Sequence, residues 1–433
     1  MGALLSVLLF AAVVTLVIWQ PRGLSVGWPA AAGGLLAVLL RVVPPGDVVA
    51  VVRIVWDPTL TFVALVLISL VLDSAGFFEW AALHMARAAR GSGWRLFIYS
   101  VLLGAMVSAF FANDGAVLIL TPILYEQVRA LRLPPAAVLA FVMAGGFVAD
   151  ATSLPLVVSN LVNILSADYF HVGFAAYAAR MLPVDMAALA ASLGMLALVY
   201  RRDIPRAVAT SDLPEPFSAI RDPRLFRFGW LVLALLAAGY LASHPLGLPV
   251  SAVAGGAAVA LVAMAWRNPE LRVPRLIAAA PWHILVFSVG MYVVVFGLGH
   301  AGLIALVGRA LAWAAAHGTG ASVLTAGYLA AGLSSIMNNL PAVLLVALGV
   351  GGSGARGAPR LAMALGNVIG SDVGPKMTPI GSLGTLLWLH VLERRGLRIG
   401  WGYYVRVGLT LTLPVLTAAL LALWAVLRLQ RAA

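Results

Sequence analysis

Long apolar runs separated by short polar breaks fill the chain from end to end. Runs near 20 residues, the length that crosses a hydrocarbon core, cover residues 3–20, 24–44, 54–76, 175–200, 226–243, 247–266, 281–300 and 402–427. They are continuous and rich in Leu, Ala and Val rather than alternating, so the pattern predicts membrane-spanning helices and not a β-barrel. Shorter amphipathic pieces are predicted at 77–90 and 301–316. The stretches 95–131 and 321–349 are bipartite, broken at Asn113-Asp114 and Asn338-Asn339. The stretches 136–167 and 359–391 read as helices interrupted by small and polar residues.

This order of elements occurs twice. Trp56–Gly76 aligns with Trp282–Gly302 without a gap at an offset of 226. "FFANDGAVLIL" (110–120) answers "SIMNNLPAVLL" (335–345) at an offset of 225, and Asp150 matches Asp372 at an offset of 222. Three matches in one order at nearly one offset predict an internal duplication. A polar, proline-bearing segment, "RRDIPRAVATSDLPEPFSAIRDPRLFR" (201–227), separates the copies and reads as a loop. The expected organisation is a first repeat over 1–201, a central loop over 202–225 and a second repeat over 226–433.

The arginines bear on the number of crossings. If each bipartite stretch is a re-entrant hairpin, each half crosses five times. One side then receives 19 arginines, six of them in the central loop, and the other receives 8. That bias fits a cytoplasmic central loop and outside termini. An odd number of crossings inverts the second half, so the expectation is an all-α membrane protein. It has two inverted repeats of five transmembrane helices plus one re-entrant hairpin each, with broken helices at the midplane, as in secondary transporters. A twelve-crossing alternative stays open, because each hairpin arm is nearly long enough to span.

Composition narrows the function classes. The chain is 62% hydrophobic and 10% charged with mean hydropathy +1.01, against about 25% charged residues in soluble domains. The net charge of +12 sits in short loops, where it sets topology and is no sign of a nucleic-acid partner. Residues 3–19 lack a basic n-region and are read as a retained helix. Zero cysteines exclude disulfides, thiolate metal sites and thiol redox chemistry. No P-loop motif occurs, so this chain does not itself hydrolyse ATP by that route. "GGSG" (351–354) has no credible base near it and reads as a turn, and no catalytic or metal-binding set is expected.

Intramembrane polar residues face the protein interior or a water-filled cavity. Asn113 and Asp114, mirrored by Asn338-Asn339, are expected at hairpin tips; the plain alternative is a surface loop. Asp150, Thr152, Ser153, Pro155, Ser159, Asn160 and Asn163 are too polar for a lipid-facing helix, the alternative being helix–helix hydrogen bonding. Asp372, Lys376, Thr378, Ser382 and Thr385 surround the breakers Gly374, Pro375 and Pro379. Asp372 and Lys376 read either as an ion pair bracing an unwound segment or as working groups. Lys376 is the only lysine beside 27 arginines. Arg is not deprotonated in proteins whereas a buried Lys titrates, so its use here points to proton exchange.

Several long motifs carry a family resemblance. They are "VIWQPRGLSVGW" (17–28), "LDSAGFFEWAALH" (72–84), "FANDGAVLILTPI" (111–123), "LAFVMAGGFVADATSLPLVVSNLVNILSADYF" (139–170), "LSSIMNNLPAVL" (333–344), "NVIGSDVGPKMTPIGSLGTLLWLHVL" (367–392) and "WGYYVRVGLTLTLPVL" (401–416). In these the chain closely resembles the arsenite/antimonite efflux permeases of the ion transporter superfamily. The resemblance implies export of As(III) and Sb(III) as neutral hydroxides across a bacterial inner membrane in exchange for protons, without a cofactor. It also implies a soluble arsenite-stimulated ATPase partner for some members. Where close relatives read "IGCDLGPK", this chain has Ser371. No thiol is then essential, and the metalloid must be held by hydroxyl, amide and carboxylate groups.

The expected mechanism is alternating access around a site between the repeats. Asn113, Asn160, Asn163, Asn338, Ser382 and Thr385 are the substrate-binding candidates, because amides and hydroxyls both donate and accept. Asp114, Asp150, Asp372 and Lys376 are the proton-coupling candidates, with Pro155, Gly374, Pro375 and Pro379 as the backbone breaks. The rival readings are a sodium-coupled anion symporter of the same superfamily and a passive metalloid facilitator.

Overall fold

A computed structural model describes residues 2–209, 213–280 and 282–432. Residues 210–212 of the central loop lie outside the described residues, as do the side chains of Arg22 and Arg431 counted in the charge bias. The first half contains α1 (Gly2–Trp19), α2 (Gly27–Leu39), α3 (Pro45–Ser74), α4 (Phe77–Ala88), α5 (Gly93–Phe110), α6 (Asn113–Ala130), α7 (Pro135–Ala151), α8 (Leu161–Tyr169) and α9 (Phe174–Tyr200). The second contains α10 (Pro223–Ser243), α11 (Val250–Ala265), α12 (Val273–Ala279), α13 (Trp282–His300), α14 (Leu303–Ala316), α15 (Gly318–Met337), α16 (Asn339–Gly352), α17 (Gly357–Val373), α18 (Leu383–Arg394) and α19 (Trp401–Ala432). Among the described residues eight helices are long and apolar enough to cross a membrane.

Two boundaries differ from the hydropathy reading. α3 starts at Pro45 rather than near 54. Pro44-Pro45-Gly46 looks like a turn, but a proline at the first helical position costs nothing, since that N–H has no partner in any helix. Asp47 in the first turn complements the helix dipole. In the second half α13 keeps the expected run over 281–300, but a short helix that the apolar pattern did not show, α12, precedes it.

Contacts between the halves establish their relative direction. α2 and α3 are joined by five residues, 40–44, and reverse direction there. Their counterparts are α11 and α13. Across the halves, Gly27 of α2 lies against the His283 carbonyl and Gly34 against Gly290 of α13, so α2 and α13 run parallel. A second-position helix parallel to a third-position helix requires one half to be upside down relative to the other. The reciprocal pair, α3 on α11, packs in the same way, with Asp57 accepting from Ser251 N at 3.0 Å.

The hairpins stop at mid-depth. Asn113, at the α5–α6 tip, is 1% exposed and bonds Asp150 near the end of α7. Leu154, four residues on, bonds Asp185 near the middle of the 27-residue α9. The tip therefore lies level with mid-helix, and α8 continues beyond it to the far face. Each half crosses five times, through α1, α2, α3, the broken α7–α8 and α9, and through their counterparts.

Glycine carries the closest helix packing. Gly366, Gly370 and Gly374, one turn apart, press on Val323, Gly327 and Ala331 of α15, leaving no room for a Cβ at Gly370 or Gly374. Without a hydrophobic driving force between helices in lipid, such close backbone approach supplies the packing energy. The two faces of the bundle also carry polar clasps. On the arginine-rich face, Arg221 pairs with Glu79 at 2.8 Å, Arg395 pairs with Glu126, and Tyr125 Oη donates to the Arg395 carbonyl at 2.9 Å. The central loop is stitched to the first half there: Val208 N donates to Gly91 O at 2.9 Å, Gly93 N to Arg206 O at 3.3 Å and Arg221 N to Ala75 O at 3.1 Å. Trp19, Trp28, Trp56 and Trp401 are exposed, as the aromatic belt requires, whereas Trp80 packs among Phe77, Phe226 and Trp230.

Replacing Gly370 by Val is expected to destabilise the fold by about 1–3 kcal/mol through overpacking, read as a lower thermal-unfolding midpoint in detergent. Gly332→Val on α15, where a Cβ meets nothing within 4 Å, serves as the control and should leave the midpoint in place.

Candidate functional site

The two broken helices meet in the interior, and each break satisfies its own freed backbone groups, as mid-membrane backbone must. In the first break, residues 152–160, Ser153 Oγ donates to Asp150 O at 2.8 Å and Ser159 Oγ to Ala109 O at 2.6 Å, tying the break to the hairpin. Asn160 caps α8 by accepting from Val162 N at 3.2 Å. Asn163 Nδ2 donates to the Ser153 and Leu156 carbonyls at 2.6 and 3.1 Å. Pro155 sits inside this turn. In the second break a 3₁₀ turn, Gly374–Met377, follows α17. Ser335 Oγ donates to Gly374 O at 2.9 Å, and Thr378 Oγ1 to Ser335 O at 2.6 Å. Asn339 N donates to Gly381 O at 2.9 Å. Gly381 lies against Pro375 so closely that a Cβ is excluded, and Pro379 lies within the same bend.

The ionisable groups are arranged across the halves. Lys376 Nζ pairs with Asp150 Oδ2 at 2.7 Å, both side chains 2% exposed. Asn113 Nδ2 donates to the other oxygen of Asp150 at 2.7 Å, and Lys376 Nζ donates to Thr385 Oγ1 at 2.9 Å. Asp372 is held instead by Asn160, whose Nδ2 donates to Oδ1 at 2.5 Å. Of the two readings of Asp372 and Lys376, the local ion pair is not formed, and two contacts cross between the halves instead. The reason is the Gly-Pro between these residues: it turns the chain out of the helical register that would place them together.

The remaining candidates take varied places. Asp114 lies over Gly384 beside Ser382, with no space for a Cβ on Gly384. Ser382 Oγ is buried without a partner. Asn338 stands apart at the second hairpin tip, where its Oδ1 accepts from Leu340 N at 3.3 Å and its Nδ2 reaches Ile380 O at 3.4 Å. Its φ of 79° with ψ of 152° lies in a region that is essentially restricted to glycine, so the tip holds strained backbone. Three buried acceptors in the breaks have no donor: Asn113 Oδ1, Asn163 Oδ1 and Asp372 Oδ2.

Two buried acids escaped the sequence reading, Asp57 on α3, 4% exposed, and Asp185. Asp185 on α9 is 6% exposed and its carboxylate accepts from Leu154 N at 3.4 Å, serving a backbone donor freed by the first break. The signal was present: a charge in mid-course of a 27-residue apolar helix, two residues after Pro183. The site is also asymmetric in charge. At the offset of 222 that relates Asp150 to Asp372, Lys376 corresponds to Leu154, so only one of the paired breaks carries a cation.

Comparison with known proteins fixes the family. A family model described as Arsenical pump membrane protein matches residues 5–427. The chain belongs to the arsenical pump membrane protein family. The Arsenical pump membrane protein of Yersinia enterocolitica is 53% identical over 420 residues, covering 97% of this chain and 98% of its own. That of Escherichia coli (strain K12) is 52% identical with the same coverage. A Putative arsenical pump membrane protein of Bacillus subtilis (strain 168) is 28% identical over 428 residues, 92% of this chain and 94% of its own. Among solved structures the Alcanivorax borkumensis YdaH transporter, described as having an unusual topology, superposes with a TM-score of 0.57 at 18% identity, covering 98% of both chains. That likeness is one of fold. The family makes this protein an arsenical efflux transporter of the membrane.

Removing one partner of a buried ion pair costs about 3–5 kcal/mol, because it strands the other charge. Lys376→Met alone should therefore lower the thermal midpoint strongly. The double variant Asp150→Asn with Lys376→Met should recover most of that loss. Equal loss in both variants would show that the pair contributes no mutual compensation.

Proposed function

We propose that the protein exports arsenite and antimonite as neutral trihydroxides, exchanging them for protons through the paired breaks. The observation that carries this reading is the Lys376–Asp150 pair, which joins one half to the other at the centre of the fold. A lysine, unlike an arginine, can release and regain a proton there, and the chain places its single Lys at this position while writing Arg elsewhere. Loss of the proton from the pair removes the attraction between the halves, which gives protonation a different affinity for the two facing states.

The donor set suits an uncharged polyhydroxyl solute. A trihydroxide brings three O–H donors, and Asn113 Oδ1, Asn163 Oδ1 and Asp372 Oδ2 are three buried acceptors without donors. Each such pairing is worth about 1 kcal/mol net, more where the acceptor is charged. Ser382 and Thr385, which stand where the first half has Asn160 and Asn163, complete the set from the second half. The absence of any cysteine supports a hydroxyl and amide site over a thiolate one. In this reading the membrane is the bacterial inner membrane and the arginine-rich face, with the central loop, is cytoplasmic. A soluble arsenite-stimulated ATPase would dock on that same face.

The decisive measurement is arsenite uptake into inverted vesicles with an imposed proton or sodium gradient. Uptake should follow the proton gradient and stop when it is collapsed. Uptake that instead follows sodium would identify a sodium-coupled carrier, and flux without accumulation a facilitator. Lys376→Arg should fold, because it keeps the charge facing Asp150, yet reduce coupled uptake at least tenfold. Full uptake with unchanged pH dependence in this variant would count against a titrating role for Lys376.

A further inference from the structure

A cavity of about 230 Å³ opens on the arginine-poor face between α3, α8, the start of α9 and the α10–α11 turn. Its wall carries Asp57, Asp168, His171 and His244, and its inner end is closed by Val157 and Ile164. Both belong to the first break and its helix. Val157 lies three residues before Asn160, and Ile164 directly follows Asn163. Val157 and Ile164, 3% and 1% exposed, thus line the cavity while neighbouring Asn160 and Asn163 along the chain.

In the second half Leu386 stands at the place of Ile164, at the offset of 222, and lines a space of about 10 Å³ with Val14, Val17 and Ile18 of α1 and Ile380.

We propose that the larger cavity is the outer half of the transport pathway, a vestibule that receives the small neutral polyhydroxyl solute from the paired breaks once Val157 and Ile164 part. The proposal rests on the efflux reading given above. The vestibule holds several water-sized groups, enough for a metalloid trihydroxide with part of its hydration. Its wall offers carboxylates and imidazoles, which accept from or donate to hydroxyls. One of these is partly committed, since an oxygen of Asp57 caps α11 through Ser251 N at 3.0 Å. Among the described residues the acids and imidazoles of the wall do not gather into a metal-binding group.

The chain has no cysteine, so introduced thiols report without background. Val157→Cys and Leu386→Cys are treated with a membrane-impermeant maleimide in right-side-out and in inverted vesicles, and arsenite export is measured before and after labelling. Val157→Cys is expected to react from the outer side alone, with a labelling rate at least tenfold above that of Leu386→Cys from the inner side. Its export should fall at least tenfold once labelled. Reaction of Val157→Cys from the inner side, no reaction from either side, or full export after complete labelling would each overturn the proposal. Should Val157→Cys fail to fold, Ala167→Cys on the same wall carries the same test. If the unlabelled chain moves no arsenite, the efflux reading fails, while the sidedness of labelling still decides whether the cavity is the outer passage.

Discussion

Every broken helix in this fold exists under one constraint: backbone groups released at the centre of a membrane must find partners inside the protein. Two segments accept that cost, and groups from neighbouring elements answer several of the freed ones. Asn163 takes two carbonyls of the first break, and Asp185 takes the Leu154 N–H. Ser335 and Asn339 serve the second. Once the breaks are satisfied, their remaining side chains converge, and the Lys376–Asp150 pair closes the space between the halves. Fold and site are therefore one problem here, because the groups that make the unwound backbone tolerable also define the chemistry of the centre.

On the proposed reading the solute is a neutral trihydroxide, which presents donors and lone pairs but no net charge, and most of the residues assigned to it are amides and hydroxyls. Asn113 and Asn160 spend their N–H groups on Asp150 and Asp372, holding the carboxylates in place. Thr385 steadies the amine. On the proposed reading Lys376 and Asp150 serve the proton, and the amide oxygens, the hydroxyls and Asp372 Oδ2 serve the solute.

Much of this was legible in the sequence, and the exceptions are instructive. Trp56–Gly76 against Trp282–Gly302 gave the duplication, and the odd crossing count gave its inversion, because hydropathy and arginine placement respond directly to the bilayer. Asn113, Asp150, Asn160, Asp372, Lys376 and Thr385 stood out as polar residues too dense for lipid contact, and the structure brings them into two linked networks. Pairing was not legible. Lys376 bonds a residue 226 positions away rather than one four positions away, since a turn of Gly and Pro redirects the side chain in a way that spacing alone does not encode. Asp185 was passed over because its surroundings in sequence are a plain apolar helix; only the fold shows that this helix backs the first break. Asn338 illustrates the reverse, a strong motif residue occupied chiefly in shaping its own hairpin tip.

The substitution of Leu154 for a second lysine has a thermodynamic meaning. Two identical halves related by inversion would generate inward and outward conformers as mirror descriptions of one another, equal in energy, with no intrinsic resting orientation. One cation, and a central loop stitched to the first half, remove that degeneracy. A machine built from duplicated parts obtains directionality from where its copies have ceased to match.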